Sequence, residues 1–474
     1  MKYFPTIGLE VHAELHTKSK MFCGCKNEPH GSEPNTHTCP VCLAHPGTLP
    51  VPNKEAIKMV LQFGQAVGAT KADFSEFDRK NYFYPDIPKA YQISQYAFPF
   101  LTGGELAGVE LTRVHLEEDT ARSSHDQGEE SLVDFNRAGV PLMELVTEPV
   151  LHDAKSAGDF ARELQLLLRT IGISEANMER GEMRVEANIS ISPVEGELGT
   201  KVEVKNINSF KAVEAAIDFE IKRHTKMLEA GETIHQETRG WDENKSQTFA
   251  QRSKETAKDY RYFPDPDISK LKTSEIPEYS ETSLAEKMPL LPSYKRQLYG
   301  KYKISDQIIE TIIADKYIDH LFAQTLDILV TGGNDEAVQL AANYVSVDVP
   351  ALLAAQTDQT EVAIDPKHFA ELITLAHGAV IGSRAVKDLL PQLGGITGSV
   401  EELATAQGLI QKSDPAALKA IVEQVITENP EQAAEFKAGK DTVLKYLVGQ
   451  GMRLSKGSAN PAVLEQILRD EIIK

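Results

Sequence analysis

Thr6-Ile-Gly-Leu-Glu-Val-His-Ala-Glu-Leu15 alternates with period two. Ile7, Leu9, Val11, Ala13 and Leu15 fall on one side, and Glu10, His12 and Glu14 on the other. Successive side chains of a strand point to opposite faces, so the pattern predicts a strand with one face in a core. Met183-Arg-Val-Glu-Ala-Asn-Ile-Ser190 repeats it, with Met183, Val185, Ala187 and Ile189 inward and Arg184, Glu186, Asn188 and Ser190 outward. Pro141-Leu-Met-Glu-Leu-Val-Thr-Glu148 reads as a third strand, with Glu144 and Glu148 sharing a face. Strands of this kind suit a largely antiparallel sheet, packed on one side and facing a cleft on the other.

Helical patterns lie between and after these strands. Asp153 is placed to cap a helix with Phe160, Leu164, Leu167, Leu168 and Ile171 inward, ending at Gly172. Ser209 is placed to cap another, with Val213, Ala216, Ile217 and Ile221 inward. Helices against one face of an antiparallel sheet predict an α+β domain. A linker composition at Pro289, Pro292 and Ser293 ends it, giving expected bounds of 1–292. The rest reads as helical, in two domains, 293–404 and 405–474. Asp414-Pro415 and Asn460-Pro461 are cap-plus-proline pairs that open helices with Leu418, Ile421, Val422, Val425 and Ile426, and with Val463, Leu464, Ile467 and Leu468, on one stripe. Glu431 to Lys440 and Thr442 to Val448 also read as helical.

The 474 residues carry 70 acidic and 50 basic side chains, a net charge of −20. A long-range basic field therefore does not recruit nucleic acid, which leaves local basic patches and shape. No run of about 18 apolar residues predicts a membrane span, and Met1-Lys-Tyr-Phe-Pro5 has no apolar signal core. Four cysteines in a chain of this size make no disulfide framework, so the reading is cytoplasmic.

Glu10 and His12 sit two apart on a strand, about 7 Å from each other along it. A divalent cation or a triphosphate fits such a pair, and so does an ordinary solvated strand face. His115-Leu-Glu-Glu-Asp119 ends another alternating stretch. Its consecutive carboxylates repel one another unless a cation compensates. With Glu144 and Glu186 they predict a carboxylate-lined cleft for Mg²⁺ and a nucleotide. Asp78-Arg-Lys-Asn-Tyr-Phe-Tyr-Pro-Asp86 sets Arg79, Lys80 and Asn81 beside aromatics, a composition that suits a phosphate with a stacked base; Asp259 to Asp267 has a similar mixture. Lys205 and Asn206 lead from a strand into the Ser209 helix, a further anion position. Cys23, Cys25, Cys39 and Cys42 are all the cysteines, and CxC followed by CxxC is a zinc spacing; four thiolates leave no open position, so the zinc is structural. His30, His37 and His45 stand near as substitute ligands. There is no GxxxxGK[ST] loop, no dinucleotide fingerprint, no nucleophile elbow and no HExxH. Activation of a carboxylate would then proceed by phosphoryl transfer to a bound substrate.

These motifs together resemble the B subunit of the aspartyl/glutamyl-tRNA amidotransferase, the bacterial GatB family. The resemblance runs through Ile7 to His12, Cys39 to Cys42, Asp78 to Asp86, Lys89 to Ser94, His115 to Asp119, Asp134 to Arg137, Glu144, Arg184 to Asn188, Lys205 to Phe210, Asp259 to Asp267, Leu447 to Gln450 and Lys456 to Pro461. It implies a cradle-shaped catalytic domain, a helical domain and a YqeY-like tail that grips tRNA. It further implies ATP-dependent phosphorylation of the side-chain carboxylate of misacylated Glu-tRNA(Gln), Asp-tRNA(Asn) or both. Ammonia for the amidation would come from glutamine at a separate glutaminase (amidase) subunit, the GatA type, with a small GatC-type subunit tying the complex together; no membrane is involved. By the same resemblance His12, Glu118 and Glu186 would be Mg²⁺ ligands, with Glu10 and Glu144 beside them and Glu117 acting through a second metal or a water. Arg184, Lys80 and Asn188 are candidates for phosphate or carboxylate contacts.

Three positions depart from the family pattern. Glu186 stands where Asp is commoner, Thr120-Ala-Arg122 where Ala-Gly-Lys is usual, and Ala44-His45 where Gly and an apolar residue are common. From residue 401 the tail has nine basic and eleven acidic side chains, so shape and residues such as Arg453, Lys456 and Asn460 must do the gripping. Two rival readings are a glutamine-synthetase-type ligase acting on a small substrate and a non-catalytic zinc-bearing RNA-binding scaffold.

Overall fold

The protein is described by a computed structural model covering residues 2–124, 130–253, 259–355, 363–411, 415–455 and 459–473. Two compact units divide after Leu291, at the proline-rich join that the composition indicates.

The first unit is built on strands β1 (Phe4–Glu14), β2 (Asp78–Asn81), β3 (Tyr91–Ser94), β4 (Val109–Glu118), β5 (Pro141–Thr147), β6 (Met183–Ser192), β7 (Val202–Ile207), β8 (Glu237–Asp242), β9 (Gln247–Ser253) and β10 (Phe263–Pro264). A ten-stranded sheet runs β9-β8-β7-β6-β1-β5-β4, continued by short strands at Leu101–Thr102 and Thr70–Lys71, with Glu105–Leu106 added beside β4. The β7–β8 pair is parallel; every other named pair in this sheet is antiparallel. Strands β10, β2 and β3 form a separate three-stranded sheet.

The alternation in β1 is borne out. Ile7, Leu9, Val11 and Ala13 are buried in the main core. Three helices cover that face: α1 (Lys54–Ala66), α2 (Ala154–Thr170) and α3 (Phe210–Glu229). Each begins at a side-chain cap that occupies free backbone N–H groups of the first turn, namely Asn53, Asp153 and Ser209. Phe160, Leu164, Leu167 and Leu168 of α2 are buried as the periodicity predicts, whereas Ile171 forms the half-buried end. Truncating a fully buried leucine such as Leu164 costs about 3 kcal/mol, so this stripe fixes which sheet face remains open.

The third alternating stretch ends early. The β5–β4 register shifts between Val146 and Thr147, and the strand stops there. The extra residue is Thr112 of β4, and Glu148 lies beyond the end of β5, so it does not join Glu144. It accepts a hydrogen bond from Thr112 Oγ1 at 2.7 Å instead.

The second unit is helical. Asp335–Ala355 is long and apolar enough to cross a membrane by length and composition. Its helix, Val338–Ala355, buries Val338, Ala341, Ala342, Val345 and Val349 and packs on Lys316–Thr331 and Pro366–His377. Towards the C-terminus, Leu418, Val422, Val425, Leu444, Leu447, Leu464 and Leu468 form a cluster of their own. Helix Pro415–Glu428 opens where expected, although its cap, Asp414, lies outside the described residues. The stretch beginning at Glu431 is a shorter helix, Pro430–Lys437, and the next runs further than expected, Thr442–Leu454. Asn460 is 9% exposed, and its Oδ1 accepts from Ala462 N at 3.0 Å. It is therefore a helix cap rather than a free contact residue. Arg453 is exposed, and Lys456 lies outside the described residues.

Candidate active site

Four neighbouring strands bring their polar faces together. His12 lies opposite Arg184 on one side and Glu144 on the other; Glu10 lies opposite Glu186, and Glu144 opposite His115. Residues paired across antiparallel strands share a face, so these side chains and Glu117 project from the uncovered side of the sheet. Glu10, His12, Glu117, Arg184 and Glu186 line the floor of a cleft of about 950 Å³, with Lys80, Tyr82, Asp119, Arg122, Arg137, Lys205 and Asn206 around it, while Glu144 and His115 are buried beside His12 and one another.

The centre is His12, whose Nε2 lies 3.4 Å from Glu144, 3.5 Å from Glu117 and 4.0 Å from Glu10. Burial works against a charged imidazole, but Glu144, then Glu117 and Glu186, outweigh it and hold His12 up at about 9. His115 Nε2 approaches Glu144 at 3.3 Å. Burial opposes the Glu144 charge, yet His115 and His12 hold this carboxyl well below the usual range. Burial, then Glu144 and Glu186, push the Glu10 carboxyl up to about 7. Negative charge is thus under-compensated at Glu10, and a proton on His12 stands where a cation would bind.

Potential ligand atoms of Glu10, His12 and Glu144 lie within 4.8 Å of one another, as do those of His115, Glu117 and Glu144 and those of Glu10, Glu186 and Glu203. His12 Nδ1 and Asn188 Oδ1 are buried without a hydrogen-bond partner among the described residues. Oxygen-rich donors with one imidazole fit a hard divalent cation that keeps part of its water shell.

Glu118 is not brought to this cluster. It ends β4, two residues after Leu116 on its own side and next to Glu117 on the other. Period two turns it to the opposite face, where it accepts from Lys89 Nζ at 2.7 Å and Ile93 N at 3.0 Å. The same rule divides Arg79-Lys80-Asn81. Arg79 donates to Asp265 and Asp267 at 2.8 and 2.9 Å and lies over Tyr91, while Asn81 donates to Tyr260 O and Arg261 O. These two tie the 259–267 segment to β2, which explains the recurring aromatic-basic composition. Lys80 alone enters the cleft; burial opposes its charge, but Glu117 above all holds it well above the usual lysine range.

Lys205 does not stand free for an anion either. Its Nζ is 2.7 Å from Glu186 and 4.0 Å from Glu203. Asn206 takes a left-handed backbone, φ 61, and lines the cleft.

Asp119 organises the opposite wall. Its carboxylate, 4% exposed, accepts from Arg137 Nε and Nη2 at 2.9 and 3.0 Å and from Arg184 Nη1 and Nη2 at 3.2 Å each. Burial opposes that charge, and Arg137 and Arg184 hold the carboxyl far below its ordinary range. Sequence reasoning gives Arg137 and His115 no role and counts Asp119 only among the cleft's carboxylates, not as the partner of two arginines. The parity of His115, Glu117 and Asp119 on one strand is the signal that could have found two of the acids and the histidine together.

The four cysteines come together, with their Sγ atoms within 4.8 Å, and all four are free thiols. Four sulfurs in one small volume are the donor set of a structural zinc site. The nearby histidines are engaged elsewhere: His30 with Glu14 and Arg122, and His37 with Glu28 and Ser32. His45 lines a cavity beside Cys23 and Cys42.

Comparison with known proteins agrees with this arrangement. The model of the GatB/GatE catalytic domain matches residues 5–277, and that of the GatB domain matches 324–472. The chain belongs to the GatB family. Among its GatB relatives, the aspartyl/glutamyl-tRNA(Asn/Gln) amidotransferase B subunit of Caldanaerobacter subterraneus subsp. tengcongensis is 41% identical, with all of both chains covered. Those of Picosynechococcus sp. and Brevibacillus brevis are 39% and 40% identical, over 99% of this chain and 98% of each relative. The catalytic-domain match contains the cleft and the four cysteines. The second match lies among the helices.

Proposed function

We propose that this chain is the phosphorylating subunit of a tRNA-dependent amidotransferase. Its substrates in this reading are ATP and the misacylated Glu-tRNA(Gln), Asp-tRNA(Asn) or both. It works in the cytoplasm with a GatA-type glutaminase and a small GatC-type partner. The observation that carries the reading is the bipolar cleft: a His–carboxylate floor on four contiguous strands beside a wall of two arginines locked on Asp119.

A carboxylate is a poor electrophile, and an acyl phosphate is a good one. An oxygen of the aminoacyl side chain attacks the γ-phosphorus of ATP, the bond to the β-phosphate oxygen breaks, and ADP leaves. Ammonia then attacks the acyl carbon, the carbon–oxygen bond to phosphate breaks, and inorganic phosphate leaves with the amide formed. The amide nitrogen comes from glutamine at the glutaminase partner, which makes the complex a carbon–nitrogen ligase. The difficulty is to bring two anions together. Arg184 and Arg137 supply fixed positive charge on one side and Lys80 on another. Glu10, His12, Glu144 and Glu117, with Glu186 alongside, are the residues that would hold Mg²⁺, which when bound neutralises phosphate charge. His12 would have to be neutral to hold it. The exposed Phe83 and Tyr84, 84% and 62% accessible, lie next to Tyr82 of the cleft and would stack on the terminal base of the tRNA. Zinc on the four cysteines would have a structural role. The self-contained cluster from Leu418 to Ile472 supports a separate tail near residues 405–474 that binds tRNA.

The test uses the complex reconstituted with its two partners, and follows phosphate release from ATP in the wild type and in Glu186→Gln. Release that needs both charged tRNA and Mg²⁺ and falls sharply in the variant is the expected result. Release indifferent to tRNA would point to a small-substrate ligase. No release from a glutaminase-active complex would leave only an RNA-binding scaffold.

A further inference from the structure

Lys20 is 1% exposed, yet among the described residues no carboxylate lies within ion-pair distance of it. Its Nζ donates to Phe135 O at 3.0 Å and lies 3.9 Å from Cys42 Sγ. One candidate counter-ion in this region, Glu118, is taken by Lys89 at 2.7 Å. The backbone fixes the lysine on both sides: Lys20 N donates to Cys25 O at 2.9 Å, and Met21 N to Gly139 O at 2.7 Å. Gly139, at φ +88, takes a left-handed backbone that favours glycine, and the Lys20 stem and Cys42 pack beside it.

A buried ammonium without an anion costs several kcal/mol, so burial of this kind implies a counter-charge. A single thiolate at Cys42, 3.9 Å away, provides at most one negative charge. Four thiolates around a divalent ion carry a net charge of about −2. We propose that Lys20 is the built-in counter-cation of the four-cysteine metal centre, so that the lysine stabilises the loaded site and the loaded site makes burial of the lysine tolerable. The inference rests on the reading of the cysteines as a zinc site.

The same lysine connects that centre to the cleft. Phe135, its carbonyl partner, is two residues before Arg137, and Gly139 is two residues after. Met21 N to Gly139 O and Lys20 Nζ to Phe135 O thus brace both sides of the arginine that clamps Asp119. The metal centre is a support for the arginine wall.

The experiment compares wild type, Lys20→Met and Lys20→Arg in the assembled complex. Zinc content is measured first, and a wild type without zinc would overturn the zinc reading itself and this inference with it. Zinc transfer to a colorimetric chelator is timed next. The expected result is release at least about tenfold faster from Lys20→Met, with Lys20→Arg close to wild type. Melting is then followed with zinc present and after chelation. Lys20→Met should melt below wild type when loaded and lose far less, or nothing, when stripped, because the stripped site offers the ammonium at most one thiolate. Equal zinc retention in Lys20→Met, or an equal loss of stability in both states, would overturn the proposal as mere packing. Should Lys20→Met fail to fold, folding of Lys20→Arg with zinc bound supports the charge requirement, and failure of Lys20→Arg as well counts against it.

Discussion

Asp119→Asn tests whether the arginine wall is held by one carboxylate. Asp119 accepts four hydrogen bonds from two guanidinium groups and is 4% exposed. Charge-assisted bonds of this type contribute about 1.5–3 kcal/mol each, but four on one carboxylate are not additive. Removing one partner of a buried ion pair costs about 3–5 kcal/mol, which sets the upper limit. Arg137 and Arg184 retain 19% and 33% side-chain exposure, so water recovers part of the loss. The asparagine keeps one acceptor and turns an N–H₂ group toward donors. About 2–3 kcal/mol of destabilisation is therefore expected near neutral pH, read from urea unfolding of the sheet unit within the full chain. The pH dependence adds a check. Because the folded-state carboxyl lies below its ordinary value, its contribution is present above about pH 4 and fades as the pH falls further. The gap between variant and wild type should narrow accordingly. A gap below about 0.5 kcal/mol at pH 7, or one that persists unchanged into acid, would refute the reasoning.

Other perturbations follow from the same geometry. Mn²⁺ binding, counted by the loss of its free spin-resonance signal, should tighten steeply between pH 6 and pH 8 as Glu10, held near 7, and His12, held up at about 9, give up their protons; Glu10→Gln should weaken binding and remove about tenfold of that dependence, leaving the part due to His12. Glu220 is fully buried and bonded to Arg223, His224 and Thr248, and its carboxyl is lowered to about 2, with burial opposing the shift. Its stabilisation should therefore be complete above about pH 4.5 and be lost as the pH falls toward 2, and Glu220→Gln should remove that part of the acid transition by calorimetry. Phe83→Ala should leave the melting temperature within about 1 °C, since the ring is 84% exposed, while raising the KM for charged tRNA severalfold. An unchanged KM would remove the stacking role.

Much of this is legible in the sequence because period two is a local signal. The faces of β1 and β6 and the capped helices α2 and α3 need only neighbouring residues to be read. What the sequence obscures is the set of partners. Arg79 looks like a phosphate ligand because Asp265 and Asp267 lie far along the chain, and Lys205 looks free because Glu186 belongs to another strand. Family resemblance groups Glu118 with Glu117, although adjacent strand residues cannot face the same way. Glu148 is misplaced because nothing in the local pattern announces that the strand stops at Thr147.

Strand β4 carries two jobs on alternate residues. His115, Glu117 and the following Asp119 serve the cleft, while Leu116 and Glu118 serve the interior. Inserting or deleting a single residue between the bulge at Thr112 and His115 would exchange the two sets at once, burying the cleft's carboxylates and exposing a leucine. Evolution can lengthen the turn that precedes Val109 or the segment beyond Arg122, but between the bulge and Asp119 it must count residues in pairs. Natural length variation among GatB chains should therefore be absent from this stretch and concentrated at its two ends.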